Sequence, residues 1–267
     1  MSSILERIFA AKREELQARQ QLVTHREIVR AAASAPVPRD FVAALRARRP
    51  AIIAEVKRAS PSKGDILPGL DPVAVARDYA AGGAAAISVL TDRHFKGSLD
   101  DLRAVRGAVD IPLLRKDFMF DDYQLYEARA AGADCILLIA AMLPFDQLRT
   151  LADRARELGM AALIEVHNPA EFALAQTLGA DLIGINNRDL HTFKTDIATT
   201  EELLRDYSGP ALIVGESGIE TPEHIRRLDR AGARAFLIGE SLLRGGAPRA
   251  ALAPLTQALA PPGATSR

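Results

Sequence analysis

Near the N-terminus the apolar residues Ile4, Leu5, Ile8, Phe9 and Leu16 recur at helical spacing, which predicts a helix running to about Arg19. Ser3 and Glu6 have the form of a capping box at its start, and Thr24 and Glu27 repeat the pattern before Ile28 and Val29. After a proline-interrupted link, Pro36 to Pro38, Asp40 caps a third short helix that carries Phe41, Val42 and Leu45. From Ala51 the period changes. Ile52 to Val56 is a short apolar, β-branched run with the character of a buried parallel strand. Four further runs each follow a Gly-Ala step (Gly83-Ala84, Gly132-Ala133, Gly179-Ala180, Gly232-Ala233), recurring at intervals of about fifty residues. Three more lie between them: Ile111 to Leu114, Ala161 to Ile164 and Ala211 to Val214. Amphipathic stretches separate the strands, among them Pro72 to Ala81, Asp122 to Ala131, Phe145 to Leu158, Pro169 to Leu178 and Pro222 to Ala231.

Strand and helix thus alternate eight times over about 200 residues, which predicts the (β/α)8, or TIM, barrel, a fold of about 250 residues with insertions. The expected organisation is one α/β domain: an N-terminal helical extension over residues 1–48, the barrel over 49–259 and a tail over 260–267. A doubly wound open sheet is the main competitor, but it needs no eight near-equal units, and no Gly-x-Gly-x-x-Gly follows the first strand. The extension is too short for a domain of its own and is expected to cover one face of the barrel. Deleting the residues before Arg39 is expected to weaken substrate affinity more than folding.

Composition changes this picture little: 267 residues, 48% apolar and 25% charged, describe an ordinary globular chain. A formal net charge of zero gives no reason for adhesion to nucleic acid or to an anionic membrane, so any anion binding must be local. No apolar run approaches the ~20 residues of a membrane span, and Met1 to Gln20 carries no signal-peptide core, so a cytoplasmic location is expected. The single cysteine, Cys135, excludes an internal disulfide and reads as a packing residue. Of 34 basic residues only Lys12, Lys57, Lys63, Lys96, Lys116 and Lys194 are lysines. The retained amines are therefore informative, because an amine exchanges protons where a guanidinium does not.

In such a barrel the site lies where the strands end, and here they end in polar residues. The first strand ends in Glu55 and Lys57, the third in Lys116-Asp117, the fifth in Glu165, the sixth in Asn186-Asn187-Arg188 and the seventh in Glu216-Ser217. Ile53, Leu114, Leu163 and Val214 precede them at the same parity, so the alternation aims the polar groups into the barrel mouth. Salt bridges closing the barrel top are the plainer reading of any one of them. Concentrating three carboxylates and two amines there costs stability, so function is the better reading of the set. Gly215 to Ile219 and Ile238-Gly239-Glu240-Ser241 place glycines where barrels commonly bind phosphate, Glu240 to Leu243 starts a short helix, and Ser60 and Lys63 complete the pocket. Ser217 is no hydrolase nucleophile, since Ile219 stands where a Gly-x-Ser-x-Gly elbow needs glycine. His94, His167, His191 and His224 lie at no metal-ligand spacing and read as structural or solvated, and no metal is expected. The residues alone leave three functions open: a carbon–carbon lyase, a Schiff-base aldolase acting on a sugar phosphate through Lys57 or Lys116, and a barrel that only binds a phosphorylated ligand.

Six motifs in order, Ala54 to Gly64, Leu90-Thr91-Asp92 with Phe95 to Ser98, Leu114 to Phe118, Leu163 to His167, Gly184 to Leu190 and Gly215 to Ile219, resemble the indole-3-glycerol-phosphate synthases. The resemblance implies cyclisation, decarboxylation and dehydration of 1-(2-carboxyphenylamino)-1-deoxyribulose 5-phosphate in tryptophan synthesis, with no organic cofactor. It implies Lys116 as general acid, Glu165 in proton transfer during dehydration, and Lys57 binding the substrate carboxylate or sharing the acid work. Glu55 would hold Lys57 and Lys116, while Asn186, Glu216 and Ser217 would bind hydroxyls or the ring region. Ser60, Gly218, Gly239 and the backbone at Glu240 would take the phosphate, Arg188 would join the substrate binders, and Phe118 would face the anthranilate ring. The partner implied is a small phosphorylated molecule, met by a monomer that associates at most weakly with other enzymes of the tryptophan pathway.

Overall fold

The computed structural model describes residues 4–60, 64–67, 69–190 and 192–260, with the backbone alone for residues 4–7 and 60. Ser3 of the first capping box, Lys63 and His191 lie outside the described residues, as do the side chains of Glu6 and Ser60.

Eight parallel strands close into a barrel: β1 (Ala51–Val56), β2 (Ala86–Leu90), β3 (Leu113–Lys116), β4 (Cys135–Ile139), β5 (Ala161–Val166), β6 (Leu182–Asn186), β7 (Leu212–Glu216) and β8 (Ala235–Ile238), with β8 paired to β1. Their alternate residues enter two different cores. Ile53, Leu114, Leu137, Leu163, Val214 and Leu237 fill the interior, while Ile52, Ile87, Ile136, Ile164, Ile213 and Phe236 pack outward under the helices. This is the period-two pattern of a strand buried on both faces.

The outer layer comprises α4 (Pro72–Ala81), α5 (Leu99–Arg106), α6 (Asp122–Ala130), α7 (Phe145–Glu157), α8 (Pro169–Thr177), α9 (Ala198–Leu204), α10 (Pro222–Ala231), α11 (Glu240–Leu243) and α12 (Pro248–Thr256). Local chemistry sets most of their starts: Asp71, Ser98, Asp121, Asn168 and Thr221 each turn a side-chain oxygen to a first-turn N–H. The Gly-Ala steps fall between helix and strand as the spacing predicts. Gly232, at φ 118°, ends α10 in a conformation that a side chain would strain.

Three helices precede the barrel: α1 (Ile4–Leu22), α2 (His25–Ser34) and α3 (Phe41–Arg46). Thr24 and Glu27 form the capping box read from the sequence, and Asp40 caps α3 by accepting from the Ala43 N–H at 2.8 Å. Rather than covering one face, the helices reach both ends of the barrel. Phe41 and Leu45 of α3 plug the N-terminal end, packed with Ala51, Ala86, Cys135 and Leu212 from the first positions of their strands. α2 lies along α6, tied by Tyr123 Oη donating to the Val23 carbonyl at 2.9 Å and Arg129 donating to the Ala35 carbonyl at 2.9 Å. α1 crosses to the other end and inserts Lys12, whose Nζ lies 2.8 Å from Asp92 Oδ2 and 2.7 Å from Asp117 Oδ1, just beyond β2 and β3.

Lys12 is fully buried, and so are both carboxylates. Burial pushes the Asp117 carboxyl up, but Arg115 and Lys12 outweigh it and hold it well below the usual carboxylate range. The extension thus supplies a buried countercharge to two carboxylates, which gives it a part in folding beside the part in substrate affinity expected from sequence. Lys12→Met should lower the unfolding free energy by about 3–5 kcal/mol in urea denaturation. A loss below about 1 kcal/mol, the scale of an exposed pair, would contradict this account.

Candidate active site

The polar strand ends converge on one cavity of about 400 Å³ at the C-terminal end of the barrel. Glu55 and Lys57 enter from β1, Lys116 from β3, Glu165 from β5, Asn186 from β6, and Glu216 with Ser217 from β7. Each of these carboxylates and Lys116 continues an inward-facing apolar column, as the alternation requires.

Lys57 Nζ lies 2.6 Å from Glu55 Oε1. Lys116 Nζ donates to Glu165 Oε2 at 3.3 Å and lies 3.8 Å from Glu216 Oε2. Glu165 Oε1 accepts from Asn186 Nδ2 at 3.1 Å and lies 3.2 Å from His167 Nε2, and the other imidazole nitrogen is 3.0 Å from Glu171 Oε2. Glu55 thus holds Lys57 directly but not Lys116, a correction to the sequence reading. β2 stands between their strands, and Glu55 reaches Lys116 only through its field.

Two glycines make room for these carboxylates. A Cβ at Gly239 would lie 2.5 Å from Glu55 Oε1 and 3.0 Å from Glu55 Cβ, and one at Gly184 would run into Glu216 Oε1. Gly239, read from sequence as a phosphate residue, therefore has a first duty as the slot for Glu55.

Burial pushes the Lys116 ammonium toward losing its proton, but the charges of Glu165, Glu216 and Glu55 outweigh burial and raise its pKa. For Glu165, burial raises the pKa, and Lys116, the His167 contact and Asn186 more than reverse it. Glu216 goes the other way: burial, reinforced by the charge of Glu165, exceeds the pull of Lys116 and lifts its pKa to about 8. Its Oε1 has no hydrogen-bond partner. A protonated, neutral Glu216 beside an ionised Glu165 is the consistent reading of the pair.

Beyond β7 the chain turns through two left-handed residues, Ser217 at φ 63° and Gly218 at φ 74°. The conformation is unfavourable for a serine and is braced by Asn187, whose Nδ2 donates to the Ser217 carbonyl at 3.1 Å while its Oδ1 accepts from Thr200 Oγ1 at 2.7 Å. Ser241 Oγ joins this turn to the β8 loop by donating to the Ile219 carbonyl at 3.2 Å. Gly218, Gly239, Glu240 and Ser241 all line the cavity, and α11 begins at Glu240 as the sequence predicts. Arg188 lines it too, its Nε donating to Thr195 Oγ1 at 3.3 Å. Phe118 forms an apolar wall with Phe95, ring centroids 6.5 Å apart, and Ile8 of α1 closes it.

The sequence reading missed Ile8, Phe95, Leu190 and Phe193 as lining residues, and it read His167 as structural or solvated. His167 had a usable signal: it shares the parity of Glu165 and stands four residues before Glu171 at the start of a helix. Among the described residues no three acidic, histidine or cysteine side chains form a metal-binding group. Cys135 is buried at the opposite end, where burial pushes its thiol up and away from nucleophilic use.

The family profile described as indole-3-glycerol phosphate synthase matches residues 5–255. The chain belongs to that family. It is 50% identical over 253 residues to the indole-3-glycerol phosphate synthase of Roseiflexus sp. (strain RS-1), covering 91% of this chain and 94% of that protein. It is 49% identical over 255 residues to that of Nocardioides sp. (strain ATCC BAA-499 / JS614), covering 95% and 98%. Among solved structures, 3-hexulose-6-phosphate synthase from Salmonella typhimurium superposes with a TM-score of 0.63 at 13% identity over 78% of this chain and 98% of that one, a likeness of fold.

The His167 environment has a measurable consequence. Burial alone would lower its pKa, but bonding to Glu165 and Glu171 raises it from 6.5 to about 10. A group that holds its proton more tightly when folded adds stability that is complete below its unfolded pKa and disappears as pH rises through the folded one. The stability advantage over His167→Gln should therefore be constant below pH 6.5 and fade toward pH 10 in chemical denaturation series. An advantage that grows over this window would contradict the assignment.

Proposed function

We propose that this cavity carries out the family's reaction, converting 1-(2-carboxyphenylamino)-1-deoxyribulose 5-phosphate to indole-3-glycerol phosphate, carbon dioxide and water, and that its strand-end residues divide the steps. The observation that carries the division is the Lys116 ammonium, lodged between Glu165 and Glu216 on the cavity wall. Ring closure joins the carboxylate-bearing aryl carbon to the ribulose carbonyl carbon, and negative charge develops on the carbonyl oxygen. Lys116, kept protonated by its neighbours, gives that oxygen its proton. Loss of carbon dioxide restores the aromatic ring. The hydroxyl formed in the first step then leaves as water with a proton from Lys57, which shares the acid work, and the adjacent CH2 group yields a proton to Glu165.

Lys57 pairs with the substrate carboxylate, and Glu55 in its glycine slot keeps Lys57 aimed. Lys57, Lys116 and Arg188 bring three cations to the cavity wall for a substrate that carries both carboxylate and phosphate. Asn186, Glu216 and Ser217 address the hydroxyls and ring region. The loop backbones at Gly218 and Gly239 to Ser241, with Arg188, take the phosphate, and Phe118 and Phe95 take the aromatic ring. The electron flow needs no organic cofactor, since the departing carboxylate and the aryl amine supply it.

The aldolase reading fares worse on one observation. A Schiff base forms from an unprotonated amine, and the carboxylates around Lys116 keep it charged. No helix among the described residues is long and apolar enough to cross a membrane. A single-domain monomer working in the cytoplasm on a diffusible phosphorylated substrate, and meeting other enzymes of the tryptophan pathway only weakly, completes the proposal.

Adding the carboxyphenylamino substrate should generate indole fluorescence, and silence at generous enzyme concentration would sink the proposal. Lys116→Ala should lose about 10²–10⁴-fold in kcat while still binding substrate. Near-normal turnover would remove Lys116 from the acid role. Borohydride added with substrate should trap no adduct on the protein, and a trapped one would favour the aldolase.

A further inference from the structure

We propose that His167, braced by Glu171, is the positioning residue that fixes the Glu165 carboxylate for proton transfer. This rests on the reading of Glu165 as the group that takes the proton during dehydration. The geometry is a chain of carboxylate, imidazole and carboxylate built from one strand, turn and helix. Glu165 is on β5, His167 follows two residues later on the same side, and Glu171 lies in the first turn of α8.

Glu165 is oriented through both oxygens. Its Oε2 accepts from Lys116, and its Oε1 meets Asn186 Nδ2 at 3.1 Å and His167 Nε2 at 3.2 Å. The His167 side chain is only 7% exposed, so water does not replace this contact. Glu171 is itself held in place: it accepts from the His167 backbone N–H at 2.8 Å and from Asn168 Nδ2 at 2.6 Å, besides facing Nδ1 at 3.0 Å. His167 Nε2 lies at ion-pair distance from Glu165 without the angle of a hydrogen bond, so its effect on Glu165 is that of a charge, and a ring buried between two carboxylates is held in its cationic form. The pair thus supplies Glu165 with a fixed positive neighbour, in the way that a carboxylate behind a catalytic histidine fixes its tautomer, with the order of groups reversed.

The arrangement suits the order of the chemistry. The charged groups facing Glu165 are Lys116 from β3, Glu216 from β7 and His167 beyond its own strand, and Glu171 from α8 faces His167. When Lys116 gives its proton to the substrate, Glu165 loses its strongest countercharge and becomes more basic at the step where it must accept a proton. His167 and Asn186 keep it aimed throughout, because neither gives up a proton in that step.

The test compares kcat and KM for the protein, His167→Gln, Glu171→Gln and Glu165→Gln on substrate carrying hydrogen or deuterium in the CH2 group that yields its proton to Glu165. Glutamine at 167 keeps an N–H donor but brings no charge. It should lower kcat about 10-fold with KM changed less than about twofold, and raise the deuterium isotope effect on kcat, because a misplaced base makes the C–H step limit the rate. Glu171→Gln should act in the same direction by less, and it decides the matter should His167→Gln fail to fold. A folded His167→Gln with an unchanged isotope effect overturns the inference even where kcat falls, since a merely structural role would slow every step alike. Glu165→Gln separates the two levels. If it is inactive while the isotope effect stays fixed in the other variants, only the role of His167 falls; if it turns over normally, the reading of Glu165 falls with it.

Discussion

The pairing of the Lys116 ammonium with Glu165 and Glu216 is the interaction on which the upper half of the barrel depends. At an effective dielectric of about 20, one close pair is worth roughly 4 kcal/mol, while desolvating each ion costs several. The two buried carboxylates do not share their countercharges equally. Glu165 has Asn186 and His167 in addition to Lys116, whereas one oxygen of Glu216 has no hydrogen-bond partner. Glu216 is therefore the carboxylate whose pKa rises. Two glutamates reached from β5 and β7, with β6 between them, are shifted in opposite directions because their surroundings differ.

The same logic runs through the second buried cluster, under α1. Asp117 follows Lys116 in sequence and points the opposite way, toward Lys12, Arg115 and Thr91. Arg115 in turn meets Glu127, which faces Arg19 of α1. The backbone that carries Lys116 is thereby gripped on its far side by the N-terminal extension. Stability and function share a support here: α1 balances the charges beyond β2 and β3, and Ile8 of the same helix forms part of the cavity wall.

Much of this was legible in the sequence because a parallel barrel obeys a strict parity. Once Ile53, Leu114, Leu163 and Val214 are read as inward-facing, Glu55, Lys116, Glu165 and Glu216 must enter the mouth. Helix limits read from caps and Gly-Ala steps fell within a residue for α4, α6, α7, α8 and α10, since those signals are local. Contacts between distant segments were not legible. Lys12 stands four residues from both Ile8 and Leu16, on the apolar face of α1, but nothing in the sequence names Asp92 or Asp117 as its partner. Gly239 illustrates another limit: its loop suggested phosphate, while the atom that excludes a side chain there belongs to Glu55, on the strand that pairs with β8 only when the barrel closes. His167 was passed over because metal spacing was the property sought, whereas its partners are carboxylates.

The glycine slots and the charge balance are two sides of one solution. A carboxylate projecting straight into the mouth would stand where an anionic substrate must sit and would repel it. Gly239 lets Glu55 lie back against β8, and Gly184 lets Glu216 lie back against β6, so both carboxylates support the cavity wall without occupying its volume. The ammonium groups of Lys57 and Lys116 are then free to face a ligand while still paired from behind. An entering carboxylate meets cations already oriented and already desolvated, and it displaces no protein carboxylate to reach them. That preorganisation matters most where charge develops during ring closure, since dipoles and charges fixed beforehand need no rearrangement as the bond forms.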